Sequence, residues 1–254
     1  MLFAGATTKY YEQNMLNKHV PRLRVDIIWE DELISKDLTD FLQSSSTKLR
    51  ATGLDAAYTR NGRLTCLAVA VGPRILLIRF RNNQKANATP PKARTILNEV
   101  LLCNPENVHH AFDMHVIALA LYNDMRMFIS NAVDIQSACT CKEPRDVGNA
   151  VEFAVSSTEY PNIHRSNIAA VFTNEAHTWD ERKPTGLAFR AWLAGHLPSI
   201  SDMELRFAEV KKISTDTIAE SVCPLICDIS DSLMEEYRLL TGSQELFDWT
   251  SAST

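Results

Sequence analysis

Hydrophobic residues are densest between residues 50 and 80, where three apolar segments are separated by short turns. The segments are LRATGLDAAYT, RLTCLAVAVG and RILLIRF, and the turns contain RNG and GP. Short apolar runs bounded by glycine and proline predict β-strands, and runs without strict alternation predict strands that are covered on both faces. The pattern therefore predicts an antiparallel three-strand meander inside the fold.

Other segments alternate between strand and helix patterns. RVDIIW predicts a short strand, and the next helix starts near Ser35, with Leu38, Phe41 and Leu42 on one face. The residue type of Ser35 predicts that it is the N-cap of this helix. Further along the chain, the predicted elements are a helix in KARTILNEVLLCNP, a strand in ENVHHAF, a helix in MHVIALALYNDM and a short strand in NAVDIQSA. From about residue 143 onward the pattern is helical with breaks. This order predicts an α/β fold, with a mixed sheet, flanking helices and a helical C-terminal part.

A single domain is the simplest organisation, because the chain has no internal repeat. We expect an N-terminal arm at residues 1–20, the domain at 21–240 and a C-terminal tail at 241–254. Pro184 fits the first turn of one C-terminal helix, and Pro224 is expected to kink the last one.

Composition and charge limit the classes of function. The 254 residues are 45% hydrophobic and 22% charged, and no apolar run reaches the ~18 residues of a membrane span. With 26 Lys+Arg against 31 Asp+Glu the net charge is −5, which argues against a surface that grips nucleic acid everywhere but leaves a local basic groove open. No secretory signal is visible, so the six cysteines are expected to be reduced thiols in a nuclear or cytoplasmic protein.

The candidate chemistry begins at Asp55, near the end of the first strand of the meander. Residues two apart on a strand point to the same face, so a carboxylate at position 57 would lie beside Asp55. Position 57 is an alanine. The stretch is therefore either the start of a metal site or the remnant of one.

With these residues in place, the order of elements resembles the RNase H-like 3′-to-5′ exonuclease family, the DEDD superfamily, from about Val25 to Tyr237. GLDAAYTRNGRLTCLAVAVGPRILLIRF looks like the family's first three strands, and ILNEVLLCNPENVHHAF with NAVDIQSA looks like its second-motif region. WLAGHLPSISDMELRFAEV is similar to the segment before the last motif. The resemblance implies a site in which four carboxylates hold two divalent metals, magnesium or manganese, that bind the scissile phosphate.

Residue by residue, the resemblance implies a depleted site. Asp55 matches the first-motif aspartate, and Ala57 stands where the glutamate belongs. Our alignment places Ala118 at the second-motif aspartate; Asp113, the nearest carboxylate, substitutes only if the register differs.

The third motif has two possible registers. If Phe207 matches the family's tyrosine, Lys211 stands at the final aspartate. A shift of about one helical turn puts Asp216 there, with Lys212 at the tyrosine position. In both registers the tyrosine is absent and a lysine enters the site.

The resemblance thus implies a pseudo-exonuclease that has no catalytic residues and binds no metal. We expect it to act as a protein-interaction scaffold, as a module for single-stranded RNA or DNA, or as both, within RNA processing, RNA silencing or a chromatin-linked complex. Lys211 and Lys212 are the expected nucleic-acid contacts, and Asp55 is expected to be a leftover carboxylate capped by backbone amides or paired with one of these lysines. The alternative is an active, metal-dependent exonuclease with a displaced site of Asp55, Asp113 and Asp216.

Overall fold

A computed structural model describes most of the chain up to residue 215. The described residues are 3, 5–16, 22–43, 50–81, 92–139, 147–155, 163–172, 184–200 and 203–215. The predictions for Asp216, Pro224 and the tail at 241–254 lie outside the described residues.

The centre of the fold is a seven-stranded mixed sheet with strand order β1-β2-β5-β4-β3-β6-β7. The strands are β1 Thr7–Glu12, β2 Arg22–Trp29, β3 Arg50–Tyr58, β4 Leu64–Val71, β5 Arg74–Arg79, β6 Asn107–Ala111 and β7 Ala132–Asp134. Strands β3, β4 and β5 pair antiparallel, as the meander predicted, while β2 pairs parallel with β5 and β6 pairs parallel with β3 and β7. The predicted fold class is confirmed.

Five strands run in one direction, so their C-terminal ends share one edge of the sheet. These strands are β2, β3, β5, β6 and β7. Asp55 lies in the second half of β3, Asp113 follows the end of β6, and the parallel register pairs Gly53 with His110. The two carboxylates are therefore brought towards the same end of the sheet.

Helices cover both faces of the sheet. They are α1 Ser35–Leu42, α2 Lys92–Ile96, continued by a π-helical turn Leu97–Leu102, α3 Met114–Met125, α4 Ile135–Ala138, α5 Val147–Val155, α6 Arg165–Val171, α7 Thr185–His196 and α8 Glu204–Glu209. One core contains residues of α1 and α3 together with Leu54 and Ala56, and the other contains residues of α5, α6 and α7 together with Ala57. Because side chains alternate along a strand, Asp55 shares the face of Ala57 and α7.

The predicted N-terminal arm contains part of the sheet, since Thr7–Glu12 forms the outer strand β1. The helix predicted near Ser35 is present and buries its apolar face, but Ile34 occupies the N-cap position and Ser35 is the first helical residue. Within the described ranges, no helix is long and apolar enough to cross a membrane.

The π-helical turn ends against two buried polar side chains of β6. The Nδ2 amide of Asn107 donates to the Val100 and Leu101 carbonyls at 3.2 and 2.8 Å, and the His109 Nε2–H donates to the Leu101 carbonyl at 3.0 Å. The Thr52 hydroxyl donates to Nδ1 of the same imidazole at 2.6 Å. These bonds satisfy carbonyls that the wider turn leaves without an intrahelical partner.

Two glycines set how closely α7 lies on the sheet. A Cβ added at Gly53 on β3 would lie 1.9 Å from the carbonyl oxygen of Ala191 and 2.3 Å from the backbone nitrogen of Gly195. A Cβ added at Gly195 would lie 2.9 Å from the backbone nitrogen of Gly53. Only glycine, which has no Cβ, permits this backbone contact. The contact brings the middle of α7 directly over β3.

We expect Gly53→Ala to lower the free energy of unfolding by about 3 kcal/mol, because the new methyl overlaps backbone atoms that no rotamer change can move. Chemical denaturation measures the loss. Gly72→Ala is the matched control: it has open space but a φ of 55°, so it should lose only about 1 kcal/mol. Equal losses in the two variants would contradict the close packing of α7 on β3.

Candidate functional site

Asp55 lies on the α7 side of β3, opposite Ala68 of β4. The residue is only 7% exposed. A carboxylate in this position has lost nearly all of its hydration, so it needs a partner inside the protein.

The partner is Arg190, in the middle of α7. Its Nε donates to Oδ2 of Asp55 at 2.5 Å, and its Nη1 donates to the carbonyl of Val171 at 2.7 Å. The Arg190 side chain is 0% exposed. The guanidinium therefore joins β3, the end of α6 and α7 in one buried contact.

Sequence reasoning missed Arg190, although the segment carried a signal. PTGLAFRAWLAGHL is apolar around its whole circumference, which is typical of a buried helix, and its one arginine stands among buried neighbours. A buried arginine requires an acceptor, and a strand-end aspartate is the usual one. The sequence does not show which aspartate that would be.

Burial and the neighbouring charges set the protonation of Asp55 in opposite directions. Its pKa is raised to about 6, chiefly because burial disfavours the charged form. The charge of Arg190 and its hydrogen bond lower the pKa, and the charge of Asp113 raises it. At neutral pH the carboxylate is ionised, with the guanidinium as its counter-ion.

Ala57 is buried in the same apolar core as α7 and is 1% exposed. Its methyl group offers no lone pair. The position beside Asp55 thus contributes packing and no ligand.

Asp113 lies near Asp55, where its negative charge helps to raise the Asp55 pKa. It follows β6 as the N-cap residue of α3, at φ 51°, ψ 44°, an uncommon left-handed conformation for a residue other than glycine. Its N–H donates to Oε1 of Gln136 at 2.9 Å, and the next N–H, of Met114, donates to Oδ1 of Asp134 at 3.1 Å. Two side chains of the β7–α4 segment thereby fix the turn that carries Asp113.

Ala118 does not belong to this site. It lies in α3 and packs in the core that contains Leu54 and Ala56, on the opposite face of the sheet from Ala57. The structure brings Asp113, and not Ala118, to the neighbourhood of Asp55, because α3 crosses the far face after the turn at Asp113.

The described third-motif candidates lie in α8 and in the segment that follows it. Phe207 in α8 is buried, and its ring makes an edge-on contact with the imidazole of His110 at 5.5 Å and 83°. Lys211 and Lys212 follow α8 and are exposed, directly before Ile213 forms a bridge with β7. The expected ion pair of Asp55 with one of these lysines is replaced by the pair with Arg190.

The adjacent histidines of β6 point to opposite faces of the sheet, and both are buried. His109 contacts the π-helical turn, while His110 contacts Phe207. Burial lowers the pKa of His109 to about 4 and that of His110 to about 3, and the charge of Lys212 contributes to the second shift. Both imidazoles are therefore neutral in the folded protein near pH 7.

These side chains do not fit a pair of divalent metals. Within the part of the chain that the structure describes, no group of three or more His, Cys, Asp or Glu side chains is placed to hold a metal ion. The Asp55 carboxylate accepts a hydrogen bond from the Arg190 guanidinium, and the Ala57 side chain has no atom that can bind a metal. Two close cations need several carboxylates to offset their repulsion, so we derive no hydrolytic step at this site.

No protein-family model matches the chain, and no curated protein matches it in sequence. Solved structures are similar to it in fold. Escherichia coli RNase D, an exoribonuclease involved in structured RNA processing, is 15% identical with a TM-score of 0.44 over 83% of this chain. NrnC of Brucella melitensis is 11% identical with a TM-score of 0.42 over 80% of this chain and 92% of its own. The catalytic core of Rrp6 from Trypanosoma brucei is 14% identical with a TM-score of 0.44 over 94% of this chain and 57% of its own.

The chain spans about half of the RNase D chain, 49%.

Removing either partner of the Asp55–Arg190 pair should destabilise the fold strongly. We expect Asp55→Leu or Arg190→Met alone to lower the free energy of unfolding by about 3–5 kcal/mol, because each leaves a buried group without its counter-ion. The double variant should lie nearer to the wild-type protein than either single variant does. Denaturant unfolding of all four proteins measures the coupling.

The exposed pair of Arg81 with Asp31 provides the control for this cycle. Both side chains are 55% exposed, and their atoms Nη2 and Oδ2 lie 3.0 Å apart. Arg81→Met should therefore change stability by only about 0–1 kcal/mol. Additive losses at Asp55 and Arg190 would contradict a buried ion pair.

Acidification should destabilise the fold through the buried histidines. Each has a folded pKa below its unfolded value near 6.5, so the stability it contributes is present above that value and is lost as the pH falls towards 4. Asp55 has the opposite sign, because its raised pKa makes the folded state take up a proton as the pH falls through about 6. On unfolding at acid pH, the two histidines take up two protons and Asp55 releases one. The free energy of unfolding should therefore fall by up to about 1.4 kcal/mol per pH unit.

His110→Phe tests this assignment, because a phenyl ring cannot take up a proton and keeps the edge-on contact with Phe207. The variant also loses the hydrogen bond of the imidazole with the Thr52 backbone, so the test is the slope: we expect a shallower decline of the unfolding free energy from pH 6.5 to 4. A decline as steep as that of the wild-type protein would contradict it.

Proposed function

We propose that this chain is a catalytically inactive, exonuclease-like domain that works by binding. The observation that carries the proposal is the state of its one first-motif carboxylate: Asp55 is enclosed and bonded to Arg190, and its same-face neighbour is Ala57. Hydrolysis of a phosphodiester by two metals needs a cluster of carboxylates open to the substrate. Among the described residues Asp55 and Asp113 are not joined by a third metal-ligating side chain, and Asp55 is buried away from a substrate.

A protein partner is the function favoured first. The chain carries a net charge of −5, which lowers its general attraction for phosphate backbones. We propose a scaffolding role in a nuclear or cytoplasmic assembly concerned with RNA processing, RNA silencing or chromatin.

Single-stranded nucleic acid is the second candidate, favoured by the adjacent exposed lysines Lys211 and Lys212. Asp55 is paired with Arg190, and both lysines are exposed in the segment after α8. Phosphate contacts of this kind hold a strand without cutting it.

Labelled single-stranded RNA and DNA, incubated with the protein and with Mg²⁺ or Mn²⁺, test the loss of hydrolysis. We expect no shortening from the 3′ end with either metal. Metal-dependent shortening that Asp55→Asn abolishes would support the other interpretation, an active site rebuilt from Asp55, Asp113 and Asp216, and would overturn the proposal.

Binding of the same oligonucleotides across a salt series tests the lysines. If both ammonium groups contact phosphates, the double variant Lys211→Gln with Lys212→Gln should reduce the slope of log affinity against log salt by about 1.4, since each contact contributes about 0.7 for single strands. Lys36→Gln, an exposed lysine of α1 on the far side of the sheet, should leave the slope unchanged. Equal slopes in all three proteins would exclude a nucleic-acid role for Lys211 and Lys212.

A further inference from the structure

We propose that Arg190 is a tethered cation that takes the place of a divalent metal beside Asp55, so that the fold completes this site with its own side chain. The inference rests on the proposed function. It adds that the Arg190 guanidinium is the group that stands in for the metal, and that this group keeps a metal ion from binding.

The guanidinium is fixed in this position from two directions. Its Nε donates to Asp55 and its Nη1 donates to Val171, so the group is held between β3 and the end of α6. The close contact of Gly53 with Gly195 fixes the helix that carries it. The Asp55–Arg190 contact is therefore part of the packed core, and no rearrangement of a surface side chain would open it.

The charges favour this arrangement over a bound metal. Asp55 and Arg190 together are neutral, and the further carboxylate known to act on Asp55 is that of Asp113. A divalent ion at Asp55 would lie against a guanidinium in a desolvated region, where like charges repel strongly. Among the described residues, no third His, Cys, Asp or Glu joins Asp55 and Asp113 to complete the oxygen-rich ligand set that magnesium and manganese require.

The absence of a carboxylate at position 57 fits the single positive charge of Arg190. A carboxylate at position 57 would place a second negative charge on the face of β3 that already carries Asp55, and one guanidinium would leave an excess negative charge. With alanine at position 57, one arginine balances one aspartate. Restoring the carboxylate and removing the arginine should therefore uncover a cation site.

Manganese binding, measured by titration calorimetry and by the loss of the free Mn²⁺ electron paramagnetic resonance signal, tests the inference in five proteins. They are the wild-type protein, the single variant Ala57→Glu, and two double variants that combine Ala57→Glu with Arg190→Ala or with Arg190→Lys. The fifth is a triple variant that combines Ala57→Glu, Arg190→Ala and Asp55→Asn. We expect only Ala57→Glu with Arg190→Ala to bind Mn²⁺, at least about tenfold more tightly than the wild-type protein. The lysine variant keeps the positive charge and should not bind, and Asp55→Asn should abolish the gain.

The wild-type protein provides a second measurement that does not depend on the variants' folding. Its unfolding temperature should be the same in EDTA and in excess Mn²⁺, because a ligand that binds only the folded state would raise it. Mn²⁺ stabilisation that Asp55→Asn removes, or a folded Ala57→Glu, Arg190→Ala protein without Mn²⁺ binding, would overturn the inference.

The inference and the proposed function fail in different ways. If the wild-type protein binds Mn²⁺ through Asp55 but cuts no nucleic acid, the tethered cation is wrong and the inactive domain stands. If it cuts nucleic acid while binding no Mn²⁺ through Asp55, the inactive domain is wrong and the tethered cation stands.

Discussion

A buried carboxylate needs a cation, and in this protein the contact of Asp55 with Arg190 meets that need within the chain. Both groups have left water, which is unfavourable for each charge alone and tolerable only because they are bonded to each other. The pair also determines where α7 lies: its arginine must reach β3, and the glycines at 53 and 195 allow the helix to come close enough. Packing and electrostatics thus depend on the same contact.

The rest of the site follows from that contact. The strands still deliver Asp55 and Asp113 to one edge of the sheet, and the turn that carries Asp113 is held by Gln136 and by the Asp134 cap. The backbone therefore brings two carboxylates towards each other, and the one at Asp55 is bonded to Arg190. A fold of this type constrains where the strand ends lie and leaves the chemistry to individual residues.

Much of the fold could be predicted from local patterns. The meander, the strand at 107–111 and the helix at 114–125 were visible because apolar periodicity reports directly on burial. The edge strand β1 was not, because TTKYYE is mostly polar and gains its order by pairing with β2. Ser35 was predicted as an N-cap on residue type alone, but Ile34 is the N-cap and Ser35 is the first residue of the helix.

The candidate site was harder to predict, because it depends on contacts between distant segments. Asp55 and Ala57 could be identified on one strand, whereas their relation to Arg190 spans 135 positions along the chain. Ala118 was assigned to the second motif by alignment. The face of the sheet on which it packs is set by the turn at Asp113, which the alignment does not show. Spacing within an element was informative, while pairing between elements needed the structure.

A crystal of the wild-type protein soaked in Mn²⁺, with anomalous scattering recorded at the manganese edge, tests the central claim most directly. The predicted result is no anomalous peak within coordinating distance of the Asp55 oxygens, with the Arg190 guanidinium still bonded to that carboxylate. One or two manganese ions bound to Asp55, with Arg190 displaced from it, would contradict the account.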